Sequence, residues 1–80
     1  MTINVTKTKT GKFFTYKIGD RIVKAKSKID YQFCCICYEK DTKRWGYLGF
    51  SRSLKSISNI CEKFKTYKSF ENVQVVEIVK

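Results

Sequence analysis

Residues 31–39 read YQFCCICYE. A strand with one wet face alternates apolar and polar residues, but here Phe33, Cys34, Cys35, Ile36 and Cys37 form an unbroken apolar run. Successive side chains on a strand point to opposite faces. Both faces are therefore apolar, and the segment is predicted to be a central strand covered, at least in part, on each side.

The chain on either side suggests what covers it. Downstream, KDTKR is a turn, and WGYLGF (45–50) is a further strand interrupted by Gly46 and Gly49. Glycine inside a strand often marks a bulge or a close backbone approach. In SRSLKSISNICEKFKTY (51–67), Leu54, Ile57, Ile60, Cys61 and Phe64 recur at helical spacing and are expected to form one buried stripe. Ser51 or Ser53 is the expected N-cap, and Lys55, Asn59, Glu62 and Lys63 face away. VQVVEIV (73–79) is a last strand.

Upstream, TINVTKT alternates with Ile3 and Val5 on one face, and Gly11 marks a turn. KFFTYKIGDRIVKAKSK (12–28) then reads as a hairpin about Gly19-Asp20, a pair that suits a II′ turn. That turn pairs Ile18 with Arg21, Tyr16 with Val23 and Phe14 with Ala25 on a mostly apolar face. The other face receives Phe13, Thr15, Lys17, Ile22, Lys24 and Lys26. The prediction is one α+β domain over residues 1–80 in the order β-β-β-β-β-α-β. It comprises a mostly antiparallel sheet of five to six strands packed against one amphipathic helix.

Charge narrows the function. The chain holds 17 basic residues against 7 acids, a net charge of +10. Self-repulsion of that size opposes compaction and is relieved by an anionic partner. Residues 1–28 carry eight bases and only Asp20, and a basic half is a stronger binding signal than total charge. Two groups are candidate nucleic-acid contacts. The first is the hairpin face, with Lys17, Lys24, Lys26, Lys28 beyond them, and Phe13 to stack on a base. The second is the turn carrying Lys43, Arg44 and Trp45. For any single lysine, a solvated position guarding a strand edge is the simpler explanation. For Trp45, the simpler explanation is a place in the core. Lysine outnumbers arginine, which favours backbone contacts of low sequence specificity.

Other classes are weaker. Without a histidine, the usual acid–base and Cys-His arrangements are missing, and the carboxylates show no paired pattern. The expectation is therefore a binding protein, not an enzyme. Cys34, Cys35, Cys37 and Cys61 lack the spacing of a zinc motif and are expected to be buried, reduced and metal-free. No cofactor is expected. No apolar run is long enough to cross a membrane and MTINVTKTKT is no signal peptide, so the expected compartment is the cytoplasm, with no membrane partner.

RWGYLGFSRSLKSISNICEKF (44–64) resembles the last strand and helix of AP2-type DNA-binding domains, in which a Leu-Gly step near a Phe precedes an amphipathic helix. The likeness covers about a quarter of the chain. The Phe is out of register and the helix lacks the family's Ala pairs, so no functional residue is carried over. The expected function is a small basic RNA- or DNA-binding protein. Its composition is in the style of a phage or mobile-element accessory protein. The alternative is an inhibitor or adaptor of that type that binds a host nuclease, toxin or defence complex, with RNA as a bridge in one version.

Overall fold

The structure is a computed structural model and describes residues 3–79. Its elements run β1 (Val5–Thr10), β2 (Phe13–Ile18), β3 (Arg21–Ser27), β4 (Phe33–Glu39), β5 (Arg44–Ser51), α1 (Leu54–Phe64) and β6 (Phe70–Glu77). The α+β order and the single helix match the sequence expectation, and every strand ladder is antiparallel. The strands divide, however, into two three-stranded sheets, β1-β2-β3 and β5-β4-β6.

β4 is the middle strand of the second sheet, and its two apolar faces meet two different layers. Cys34 and Ile36 pack with Val5, Tyr16, Ile18 and Ile78 between the sheets. Cys35 packs with Ile57 and Cys61 beneath the helix. The order is therefore sheet, sheet, helix. The helix connects β5 to β6 while β4 lies between those strands, a split βαβ arrangement. At Gly49 a Cβ would stand 3.4 Å from Ile60 Cδ1 and 3.8 Å from Ile57 Cδ1, so the helix packs close over this strand. Beyond β6, Val79 bridges to Thr6 in parallel, with its N–H on the Val5 carbonyl (2.9 Å) and its carbonyl accepting from the Lys7 N–H (2.9 Å). The end of one sheet's strand thus stitches the edge of the other.

Helix capping is local. The Ser53 hydroxyl accepts from the Ser56 N–H at 3.4 Å, and the Ser51 hydroxyl accepts from the Ser53 N–H at 3.0 Å. The stripe is narrower than its periodicity predicts. Ile57 and Cys61 are buried, Ile60 and Phe64 are partly buried, and Leu54 is 55% exposed. Leu54 opens the helix one turn before the stretch that crosses the sheet, so it has nothing to cover it.

The hairpin register also departs from expectation. Gly19 takes a positive φ of 59° and Asp20 does not, as a II′ turn requires. Ile18 pairs with Arg21 and Lys17 with Ile22, as the turn dictates. Then β3 bulges twice. Tyr16 pairs with Lys24 in place of Val23, and Phe14 pairs with Ser27 in place of Ala25. Lys26 sits in the second irregularity with φ 55°. Each extra residue flips the side chains that follow to the other face.

Candidate nucleic-acid interface

The bulges decide where the hairpin lysines go. Lys17 stays on the outer face of the first sheet, level with Thr6 and Ile22. Phe13 shares that face, level with Thr10. Lys24 lies in register with buried Tyr16 on the core-facing side, its Nζ 5.9 Å from the centre of the Tyr31 ring. Lys26 is in the bulge, and Lys28 is exposed in the following loop. The expectation that Lys17, Lys24 and Lys26 gather on one face is therefore corrected. Among the residues whose register is set, the outer face carries Thr6, Thr8, Thr10, Thr15, Phe13 and Ile22 around Lys17.

The second candidate group lines a cleft. At the β4–β5 turn the Glu39 carbonyl accepts from the Lys43 N–H (2.8 Å), and the Thr42 hydroxyl donates to the Glu39 carboxylate (3.0 Å). Lys43 completes the turn with φ 55°. This leaves Lys43 and Arg44 exposed at the tip. Trp45 follows, in register with Tyr38, and the two rings meet edge to face at 5.8 Å and 73°. Trp45 also packs against the inter-sheet core, so it is both a core residue and a wall of the surface.

Facing this turn is the Gly19-Asp20 turn of the first sheet, pinned where the Gly19 N–H donates to the Asn4 carbonyl (3.2 Å). Arg21 then reaches across, and its Nη2 donates to the Trp45 carbonyl. Between the two turns lies a cleft of about 440 Å³ floored by Ile3 and Ile18 and walled by Tyr38 and Trp45. Its rim carries Arg21, Lys43 and Arg44 against one carboxylate, Asp20. An arginine beside an aromatic wall offers donors for phosphate and a surface for stacking. Of the residues lining this cleft, sequence reasoning names Lys43, Arg44 and Trp45 but not Arg21 and Tyr38. Alternation puts Arg21 on the apolar hairpin face, and no local signal says which strand its head group reaches.

The thiols take no visible part. Cys34, Cys35, Cys37 and Cys61 are free and buried. Burial pushes the Cys34 and Cys35 thiols up to about 12 and the Cys37 thiol to about 11. These three are protonated at neutral pH and are poor nucleophiles and metal ligands. Among the described residues no three Cys, His, Asp or Glu side chains are gathered for a metal ion. No described helix is long and apolar enough to cross a membrane.

No protein-family model, curated protein or solved structure matches this chain. The AP2 likeness over residues 44–64 therefore carries no family membership.

Proposed function

We propose that this is a small, non-catalytic, cytoplasmic nucleic-acid-binding protein that engages RNA or DNA through the Trp45 cleft. The observation that carries the reading is the Tyr38–Trp45 aromatic pair, walled into a cleft whose rim bears Arg21, Lys43 and Arg44. Cations beside aromatic faces are the recurring means of holding a nucleic-acid backbone while stacking on a base. The excess of ten positive charges supplies the long-range attraction. Over the whole chain lysine far outnumbers arginine, which favours backbone over base readout.

Trp45 is the only tryptophan, so it reports directly on this cleft. Titration with nucleic acid should quench its fluorescence. The Lys43→Ala/Arg44→Ala double variant should lower the slope of log affinity against log salt by roughly 1.4 to 1.8, about 0.7 to 0.9 for each phosphate no longer neutralised. Lys17→Ala, on the outer face, should leave the slope unchanged. Absence of quenching together with an unchanged slope in the double variant would defeat this reading.

The inhibitor or adaptor reading has one observation in its favour. Among the described residues, the outer face of the first sheet is free of acids, rich in threonine, and exposes Phe13 and Ile22. A face of that chemistry suits a protein surface better than a phosphate backbone. Binding to a host protein that survives nuclease treatment and is lost in Ile22→Asp would favour it.

A further inference from the structure

The helix runs out into KFKTYKSF, residues 63–70, with an aromatic residue at every third position and lysines interleaved. The backbone explains the spacing. The Phe64 carbonyl accepts from the Tyr67 N–H (3.1 Å), and the Tyr67 carbonyl accepts from the Phe70 N–H (3.4 Å). Two successive three-residue turns bring side chains i, i+3 and i+6 to one side. The three rings accordingly form a cluster. Tyr67 lies parallel to Phe70 at 5.8 Å and 6°, and Phe64 tilts against Tyr67 at 5.0 Å.

The cluster belongs to neither core, and Tyr67 is 47% exposed. Phe64 and Phe70, both partly buried, hold that ring in place. Of the three nearby carboxylates, Glu62 is neutralised by Lys65 (3.1 Å) and Glu71 by Lys40 (3.3 Å), while Glu39, across from Phe70, accepts from the Thr42 hydroxyl (3.0 Å). Lys63 and Lys68 make no ion pair among the described residues, and Lys63 lies 5.9 Å from the Phe64 ring centre.

This cluster lies at the same end of the second sheet as the Trp45 cleft. Trp45, Tyr38 and Glu71 lie in one row across β5, β4 and β6, and Arg44, Glu39 and Phe70 form the next row on the opposite face. Two strand spacings, about 10 Å, separate the outer backbones of those rows. The Lys40 N–H donates to the Ser69 carbonyl (3.2 Å) and ties the cluster to the β4–β5 turn. Aromatic surfaces therefore flank a thin sheet end on both faces, with Lys43 at its tip.

We propose that Tyr67 is a second stacking position and that the ligand is a single-stranded polynucleotide wrapping this end of the sheet, from the Trp45 cleft past Lys43 to Tyr67, Lys63 and Lys68. The proposal rests on the nucleic-acid reading above and sharpens its substrate. A duplex keeps its bases stacked inside, so rings on opposite faces of one sheet end cannot both reach them, whereas an unpaired strand can bend and offer a base to each.

The test uses fluorescently labelled oligo-dT and oligo-U of about 4 and about 12 nucleotides, lengths that bracket the span of a small domain, plus a duplex of the longer length. Wild type should bind the longer single strand most tightly, and the duplex more weakly. Tyr67→Ala should weaken the longer strand roughly tenfold, the loss of one stacked base, with the salt slope unchanged. Lys63→Ala/Lys68→Ala, two changes at exposed positions, should lower the slope for the longer strand by roughly 1.4 to 1.8. Preference for either sugar supports the proposal and names the nucleic acid. If folded Tyr67→Ala and the lysine pair both bind like wild type while Trp45 is still quenched, the second position falls and the cleft reading stands. If the duplex binds as tightly as the single strand, the single-strand assignment falls. If wild type binds none of the probes, both readings fall.

Discussion

Lys7 departs furthest from what its residue type suggests. It is 4% exposed, paired through Nζ with the Asp30 carboxylate and donating to the Tyr31 carbonyl at 3.2 Å. The cause is periodicity. Val5 must face the core, so Lys7, two residues on, faces it as well. Beside it the Tyr16 hydroxyl donates to the Ile29 carbonyl (2.7 Å) and accepts from the Tyr31 N–H (2.8 Å). Together these bonds hold the loop of residues 28–32 against the sheet. The two ends of the ion pair are not equivalent, because the Asp30 side chain is 42% exposed and that of Lys7 only 2%. Asp30→Asn leaves a buried ammonium without its counter-charge and should cost about 3 kcal/mol. Lys7→Met leaves a carboxylate that reaches water and should cost about 1 kcal/mol or less. Urea melts of the two variants check this, and equal losses would mean that burial does not set the asymmetry. Lys7 and Asp30 stand 23 residues apart, which is why composition counted Lys7 among the binding charges when it serves the fold.

At the scale of elements, the helix separates what periodicity can and cannot say. Spacing alone places Leu54, Ile57, Ile60, Cys61 and Phe64 on one stripe, of which Ile57 and Cys61 are buried, Ile60 is partly so and Leu54 is exposed. Depth along it depends on where the helix crosses the sheet. Ile57→Ala should therefore cost about 2–5 kcal/mol, as for other fully buried aliphatic truncations. Leu54→Ala should stay within about 0.5 kcal/mol of wild type, because little of its side chain leaves water. Thermal melting of the pair distinguishes them, and a Leu54→Ala loss matching that of Ile57→Ala would mean the helix sits a turn further along. The hairpin carries the same lesson. Gly19-Asp20 set the turn and the first two pairs, since those depend on local dihedrals. The bulges beyond lie opposite Tyr16 and Phe14, which pack into the inter-sheet core and so depend on contacts no local signal encodes.

For the molecule as a whole, the buried thiols link stability to pH. Cys34, Cys35 and Cys37 hold their protons more tightly when folded, because burial disfavours the thiolate, and their ordinary value is 9.0. Above pH 9 the unfolded chain loses protons that the folded chain keeps. Their contribution is therefore fully present below about pH 9 and is lost as pH rises toward the folded values of about 11 to 12. Each thiol removes up to about 1.4 kcal/mol per pH unit. Burial also raises Tyr16, which acts in the same direction at higher pH. Under reducing conditions the urea midpoint should be flat from neutral pH to about pH 8.5 and should fall steeply above it. A Cys34→Ala variant should show a shallower fall whatever its absolute stability. A midpoint unchanged between about pH 9 and pH 11 would mean that the thiols are not desolvated.

The sequence by itself determined the order of elements, the two apolar faces of β4, the II′ turn and the Lys43–Arg44–Trp45 corner. All are local: period-two and helical spacing, glycine at a positive φ, and charges clustered in a few residues. Tertiary structure alone decided that the strands split into two sheets, that Lys7 is a core residue, and that Arg21 joins Trp45 and Tyr38 in one cleft. These depend on groups far apart in the chain, and each bulge in β3 inverts the faces that alternation assigns. A one-residue shift leaves composition and spacing unchanged and moves a lysine from one side of a sheet to the other, so only the packed molecule says which surface the charge occupies.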